Sequence, residues 1–175
     1  EYSELYSLIP SRKFLKRILV YFGAVDSFNL TSIILTELSK PEFADIAVDV
    51  VVGSQSPNFE LVKQQVSLRP QTTFYSSLQS LAGLIARADL SIGAGGSTTW
   101  ERACLGLPSV VITTAANQVA FNKCLAKYGF IKLIWDATVS TANINLEGLS
   151  EYFLDLTKNN KSRYLTDGMG AYRVA

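Results

Sequence analysis

The stretch that decides the fold is residues 90–105, which read LSIGAGGSTTWERACL. Its first three residues form an apolar run of strand length, the next seven are small residues rich in glycine, and the last six have helical character. A strand that passes through a glycine-rich turn into a helix is the repeating unit of a parallel sheet covered by helices. This stretch therefore predicts an α/β fold.

The rest of the chain repeats this alternation of strand-length apolar runs and helical periods. Predicted strands cover residues 17–22, 45–52, 72–75, 90–92, 109–112 and 131–135, and predicted helices cover residues 29–39, 59–66, 78–85, 100–105, 117–128 and 146–156. The pattern predicts one Rossmann-like, doubly wound parallel sheet of about six strands with helices on both faces. Ligands of such sheets bind beyond the carboxyl ends of the strands.

The first segment of the chain lacks the pattern that the other residues show. Residues 1–14 have no clear period, and the sequence does not begin with methionine. We expect residues 15–175 to form the single α/β domain and residues 1–14 to be a linker from an amino-terminal domain that is missing from this sequence.

The composition excludes several classes of protein. Of the 175 residues, 48% are hydrophobic and 18% are charged, which is typical of a folded domain rather than a disordered chain. The net charge of +1 provides no basic surface for nucleic acid. The longest clear apolar run, residues 18–22, is far shorter than the ~20 residues that span a bilayer. Because no segment has the pattern of a secretion signal either, a cytoplasmic location is expected.

The chain contains no histidine, so no imidazole of this sequence acts as a base or a metal ligand. Cys104 and Cys124 do not form a close-spaced metal pair, and we expect both to be small buried residues. Cys124 aligns with Phe121, Leu125 and Tyr128 on the predicted buried stripe of helix 117–128. No metal or other cofactor is expected.

The loop of residues 93–99 is the main candidate for a binding site. Its glycines let the backbone approach a ligand closely, and the amides of Gly95, Gly96, Ser97 and Thr98 would point at an anion such as a diphosphate. The loop has neither the lysine of a triphosphate-binding loop nor the spacing of the dinucleotide turn. A tight turn that binds nothing is the alternative interpretation.

Further polar residues at the same edge favour a ligand that carries hydroxyls as well as phosphate. Glu101 falls in the first turns of the next helix, where a carboxylate either caps the amides or accepts two ribose hydroxyls. Asn117 and Gln118 open the helix after strand 109–112, where Asn117 alone would be an N-cap. Together with the glycine loop, these side chains suit a nucleotide sugar.

Residues 88–108, ADLSIGAGGSTTWERACLGLP, and the later pair Asn117-Gln118 closely resemble the carboxyl-terminal half of the UDP-sugar hydrolases of pseudaminic acid biosynthesis. Spore-coat polysaccharide biosynthesis proteins share these motifs, and the resemblance implies a glycosyltransferase-B architecture. The resemblance implies that Glu101 binds the ribose and that Asn117, with Gln118 beside it, lies on the side of the sugar or the distal phosphate. It assigns the diphosphate to Gly95, Gly96, Ser97 and Thr98.

The resemblance also points to three less specific places. It assigns the strand end from Tyr75 to Leu78 to uracil, which related enzymes recognise through backbone contacts. The family's ligand-binding arginine near the start falls at Pro10, with Arg12 as a candidate replacement.

The third place is the first loop, which departs from the family pattern. The family has two adjacent glycines, a small polar residue and Asp, whereas this chain has Gly23-Ala24-Val25-Asp26. Gly23 and Asp26 are the candidate substrate-binding residues of this loop.

The family reaction releases UDP from UDP-2,4-diacetamido-2,4,6-trideoxy-β-L-altropyranose by attack of water at the anomeric carbon. Its base is a histidine of the amino-terminal domain, and this chain has none. The resemblance therefore implies that residues 15–175 are the nucleotide-sugar-binding domain, with the UDP-sugar and its own amino-terminal domain as partners. This half is expected to contain no catalytic residue and to be inactive alone. The donor-binding domain of a UDP-sugar glycosyltransferase and a non-catalytic nucleotide-sugar-binding module are the alternatives.

Overall fold

The computed structural model describes residues 2–5, 7–9, 12–136, 144, 146–158, 161, 165–170 and 173. Six strands form one sheet: β1 (Arg17–Tyr21), β2 (Ala47–Val51), β3 (Thr72–Tyr75), β4 (Leu90–Ala94), β5 (Ser109–Thr113) and β6 (Lys132–Asp136). The helices of the described residues are α1 (Tyr2–Leu5), α2 (Leu30–Leu38), α3 (Phe59–Leu68), α4 (Ala82–Arg87), α5 (Thr98–Cys104), α6 (Ala116–Lys127) and α7 (Leu149–Lys158), with a 3-10 turn at Pro41–Phe43. Within these residues no helix is both long and apolar enough to cross a membrane.

The strands are all parallel and adopt the order β3-β2-β1-β4-β5-β6. The chain builds outward from β1 to β3, returns to the centre and builds outward in the other direction from β4. The order therefore reverses between β1 and β4, where doubly wound sheets open a crevice at their carboxyl edge. The predicted fold class is confirmed.

Alternation along each strand buries both faces of the sheet. Ile18 and Val20 of β1 pack into the cluster that contains residues of α2, α3 and α7, whereas Leu19 packs into the cluster that contains Ile85 of α4. Val111 of β5 packs in the same way with residues of α6. Each fully buried side chain of this size contributes about 1.5–3 kcal/mol. The continuous apolar runs are therefore explained by helices on both faces.

The predicted ends of the elements agree with the structure to within two residues except at α4 and α7. The predicted helix 78–85 begins only at Ala82, because the preceding residues form an irregular segment in which Ser77 has a φ of 54°. The predicted helix 146–156 begins only at Leu149, because Gly148 has a φ of 75° and interrupts the helical path. Leu146 is nevertheless buried in the core.

Strand β4 is longer than predicted and includes Gly93 and Ala94, which the sequence placed in the loop. Ala94 pairs with Ile112 of β5, so the ladder continues to the edge of the sheet. A Cβ atom on Gly93 would lie 2.2 Å from the carbonyl oxygen of Tyr21 on the neighbouring strand. This glycine is therefore required by close strand packing, and the loop itself begins at Gly95.

The predicted buried stripe of α6 is confirmed for Leu125 and for Phe121, which packs against the same cluster, and is wrong for the other two residues. Cys124 and Tyr128 are exposed, whereas Asn122 and Leu125 are the buried residues of this helix. The helix faces the sheet through Asn122, whose Nδ2 donates to Thr113 Oγ1 at 3.1 Å. Cys104 is buried as predicted, and neither cysteine forms a disulfide.

Candidate functional site

A cleft of about 450 Å³ lies at the carboxyl edge of the sheet, where the strand order reverses. Its floor includes Tyr21 at the end of β1 and residues 51–53 at the end of β2. Residues 77–81 form one wall, and Ser97, Thr98 and Glu101 form another. The volume is within the range of small-molecule sites.

The glycine loop presents backbone donors that the chain itself does not use. Among the described residues, the amides of Gly95, Gly96, Ser97 and Thr98 have no hydrogen-bond acceptor. The backbone bonds that close the turn come from Thr99 N to the Gly96 carbonyl at 3.0 Å and from Trp100 N to the Ser97 carbonyl at 3.1 Å. Helix α5 has seven residues and little dipole, so these amides are themselves the donors available to an anion. Ser97 is exposed and Thr98 half-buried, and both line the cleft.

Glu101 faces the cleft and is held by a tyrosine from the start of the chain. Tyr2 Oη donates to Glu101 Oε2 at 2.9 Å, and none of the described amides donates to this carboxylate. The capping interpretation of Glu101 is therefore wrong. Burial, and next the charge of Glu101, raise the pKa of Tyr21 on the cleft floor. A carboxylate with two hydroxyl-bearing neighbours is suited to accept further hydroxyl donors.

The segment after β3 forms a cleft wall, although Tyr75 itself does not line it. The Tyr75 hydroxyl accepts a hydrogen bond from Arg87 Nη2 at 2.6 Å, and its carbonyl accepts one from Val52 N at 3.0 Å. Leu78 lines the cleft and is 42% exposed. Ser77, beside it, adopts the left-handed conformation that non-glycine residues rarely hold.

The candidate residues of the first loop support the chain rather than line the cleft. Asp26 accepts hydrogen bonds from Leu30 N at 2.9 Å and Thr31 N at 2.8 Å, which caps α2. Gly23 has a φ of 93°, so the turn conformation accounts for it. Ala24 is the residue of this loop that lines the cleft.

Of the pair that opens α6, the structure brings Gln118 to the glycine loop and leaves Asn117 exposed. Gln118 Oε1 accepts from Thr114 N at 3.1 Å, and its Nε2 lies 3.6 Å from the position of a Cβ on Gly96. Asn117 lies in the first turn of the helix, whose N-cap is Ala115, so its N-cap interpretation is wrong. Neither side chain lines the cleft.

Among the described residues, no arginine lines the cleft, so the family's ligand-binding arginine has no counterpart there. Pro10 lies outside those residues. Arg12 donates to the carbonyls of Ile85, Ala88, Leu105 and Gly106, all near the amino ends of strands. This guanidinium is used to hold the chain together.

Among the residues of the site region that were not predicted are Tyr2, Tyr21, Arg102 and Asn122. Arg102 and Asn122 are buried behind the glycine loop, and a Cβ on Gly95 would lie 2.1 Å from Asn122 Nδ2. The one available signal was the arginine that follows Glu101 in the helix after the loop. The described residues contain no group of three acidic, cysteine or histidine side chains that could hold a metal ion.

The family described as "Glycosyltransferase family 28 C-terminal domain" matches residues 17–169 of the chain. The chain belongs to this family. It is 31% identical over 170 residues to the spore coat polysaccharide biosynthesis protein SpsG of Bacillus subtilis (strain 168). The aligned region covers 93% of this chain and 50% of SpsG. The chain thus spans half the length of that relative.

Solved structures show the same fold for this family 28 domain. MurG of Acinetobacter baumannii superposes with a TM-score of 0.69 at 20% identity, over 93% of this chain and 48% of MurG. The UDP-GlcNAc 2-epimerase of Neisseria meningitidis, bound to UDP-GlcNAc, superposes with a TM-score of 0.58 at 16% identity, over 99% of this chain and 46% of the epimerase. The expected glycosyltransferase-B architecture and the relationship to spore-coat proteins are confirmed.

Proposed function

We propose that the chain is the UDP-binding half of a nucleotide-sugar enzyme of polysaccharide biosynthesis. The observation that carries this proposal is one cleft lined both by Ser97 and Thr98, whose amides have no acceptor in the described residues, and by the Glu101 carboxylate. Amide donors suit a diphosphate, and a carboxylate suits the hydroxyls of a ribose. The name of the relative SpsG supports the biosynthetic context.

The ligand would lie across the reversal of strand order. Its diphosphate would accept hydrogen bonds from the amides of residues 95–98, and its ribose would donate to Glu101. The uracil would lie against residues 77–81, of which Leu78 offers an apolar face 42% exposed. The sugar would extend toward α6, where Gln118 lies beside Gly96 and Asn117 is exposed.

Departure of UDP places negative charge on the diphosphate, and preorganised amides stabilise such charge without a metal ion. Activation of the attacking group requires a base within hydrogen-bond reach. The hydrolases that the chain resembles use a histidine of the amino-terminal domain, and this chain has no histidine, so we assign that base to an amino-terminal domain. A relative of twice this length supports that division.

We take hydrolysis of a UDP-diacetamido-trideoxy sugar as the first candidate reaction, on the resemblance of residues 88–118. Transfer of the sugar to an acceptor is the second, and the family 28 glycosyltransferase match favours it equally. Product analysis of a full-length protein distinguishes them, since a hydrolase releases free sugar and a transferase leaves it on an acceptor. Binding without turnover would instead identify a non-catalytic module.

Calorimetric titration of UDP into this chain tests the binding proposal. We expect saturable binding, and Glu101→Gln should weaken it about tenfold because a hydrogen bond to a charged group is worth roughly 1.5–3 kcal/mol. Glu60→Gln, an exposed glutamate in the first turn of α3, is the matched control and should leave the affinity unchanged. Absence of saturable UDP binding to the wild-type chain would refute the proposal, and unchanged binding to Glu101→Gln would remove Glu101 from the site.

A further inference from the structure

Arg102 is a buried cation directly behind the glycine loop. Its side chain is 3% exposed, and its donors reach groups near the loop. Nη2 donates to the Ala94 carbonyl at 2.7 Å and to Thr99 Oγ1 at 3.1 Å, while Nε donates to the Thr98 carbonyl at 3.2 Å. Nη1 makes a longer contact of 3.3 Å with Ser91 Oγ.

These hydrogen bonds bracket the loop. Ala94 is the last residue of β4 and Thr98 is the first residue of α5, so one guanidinium holds the two ends of residues 95–97. On its other side the loop packs against Asn122, which lies so close to Gly95 that no side chain fits there. A planar guanidinium fixes two acceptors in a defined geometry, which a flexible ammonium group does not.

The charge of Arg102 has no carboxylate partner within 4 Å among the described residues. By contrast, Arg17 and Arg87 both pair with the buried carboxylate of Asp49. Burial lowers the pKa of Arg102 to about 10, which still leaves the side chain charged at neutral pH. An unpaired buried charge is costly to the fold. In a medium of low dielectric constant its field also extends farther than in water.

We propose that Arg102 is the positioning residue of the anion site, which holds residues 95–97 so that their amides converge and places a positive charge behind the bound diphosphate. This inference rests on the proposed function, because it concerns the same loop. It predicts that Arg102 acts on the diphosphate and leaves recognition of the nucleoside unchanged.

The test compares UDP with uridine, which has the same nucleoside and no phosphate. Calorimetric affinities of both are measured for the wild type, Arg102→Lys and Arg102→Gln. We expect the ratio of UDP to uridine affinity to fall about fivefold in Arg102→Lys, which keeps the charge but cannot bond the Ala94 and Thr98 carbonyls together. It should fall roughly 30-fold in Arg102→Gln, which loses both. Uridine affinity should stay within about twofold, because the proposed nucleoside contacts, Glu101 and residues 77–81, include neither Arg102 nor the amides of the loop.

Arg69→Lys is the matched control. Arg69 is also buried, at 8% exposure, and donates to the carbonyls of Leu38, Phe43 and Ile46, at the opposite edge of the sheet. Burial lowers the pKa of Arg69 as well. Its substitution should destabilise the chain and leave the UDP-to-uridine ratio unchanged.

The outcomes separate this inference from the proposed function. If the wild type binds UDP no more tightly than uridine, the diphosphate site itself is refuted. If the wild type prefers UDP and both Arg102 variants retain the wild-type ratio, the role of Arg102 is overturned while the site stands. If Arg102→Gln does not fold, Arg102→Lys decides, and a wild-type ratio in that variant overturns the inference.

Discussion

The two edges of the sheet use arginines in different ways. At the amino edge, Arg69 donates to the carbonyls of Leu38, Phe43 and Ile46, and Arg12 donates to four further carbonyls. These arginines provide hydrogen-bond donors for backbone carbonyls of the last helical turns and of the segments that connect the helices to the strands. At the carboxyl edge, Arg102 holds the ends of a loop whose amides stay unused by the described residues. Satisfied polar groups at one edge close the structure, and unsatisfied donors at the other define a place for a ligand.

The amino edge is closed by a carboxylate as well. Asp89 Oδ2 accepts hydrogen bonds from Lys16 N at 2.9 Å and Arg17 N at 2.8 Å, just where β1 begins. The carboxyl edge is instead held together by glycines that let backbones touch. Substitutions at the amino edge should therefore change stability alone, and those in the glycine loop should also change binding.

The largest effect should come from Arg69→Met. It leaves the Leu38 and Ile46 carbonyls without a donor among the described residues and removes further hydrogen bonds to Phe43, Pro70 and Thr72. Each buried unsatisfied group costs about 1–3 kcal/mol, so we expect a loss of roughly 3–5 kcal/mol. Urea unfolding monitored by circular dichroism measures it, and Arg69→Lys should lose less. A loss below about 1 kcal/mol would mean that water reaches these carbonyls and that the amino edge is open.

A smaller effect is expected where the loops after β1 and β2 touch. A Cβ on Gly53 would lie 2.1 Å from the Ala24 carbonyl oxygen, so Gly53→Ala must push two backbones apart and should cost about 2–3 kcal/mol. Gly83→Ala is the control, because nothing lies within 4 Å of its Cβ position in α4, and it should gain about 0.5–1 kcal/mol. Equal effects of the two substitutions would show that the loops are not in backbone contact.

The smallest effect concerns Gly95 and the side chain of Asn122. Gly95→Ala should cost about 1–2 kcal/mol, because the new methyl group meets Asn122. In an Asn122→Ala background the same substitution should cost less, so a double-mutant cycle by urea unfolding should give a coupling of about 1 kcal/mol. Additive effects would show that the cost of a side chain at Gly95 does not come from contact with Asn122.

Elements with a strong local pattern could be predicted from the sequence. The central strands are continuous apolar runs because helices cover both faces of the sheet, and such runs are visible without any knowledge of distant contacts. The start of α4 could not be predicted, because Leu78 and Leu81 have helical spacing but line a cleft instead. The period of α6 placed Leu125 correctly but missed Asn122, because a polar residue does not mark a buried position in the sequence.

The candidate site divides in the same way. Ser97, Thr98 and Glu101 could be proposed because the loop and the first helical turn are contiguous in sequence. Arg102 and Tyr2 could not, because their roles depend on burial and on contacts with residues that are distant in sequence. Asp26 was proposed as a substrate-binding residue from the family motif, but its carboxylate instead caps α2.

The reversal of strand order also has a consequence for how the cleft is assembled. The floor and one wall come from the first half of the chain, through residues 51–53 and 77–81, whereas the opposite wall comes from the glycine loop and α5. The two halves of the sheet join where β1 pairs with β4, as at Val20 and Ile92. During synthesis, the first three strands can pair before the second wall exists, and β1 then has an unpaired edge. A ligand that contacts both walls stabilises the central pairing, so occupancy and completion of the sheet are thermodynamically linked.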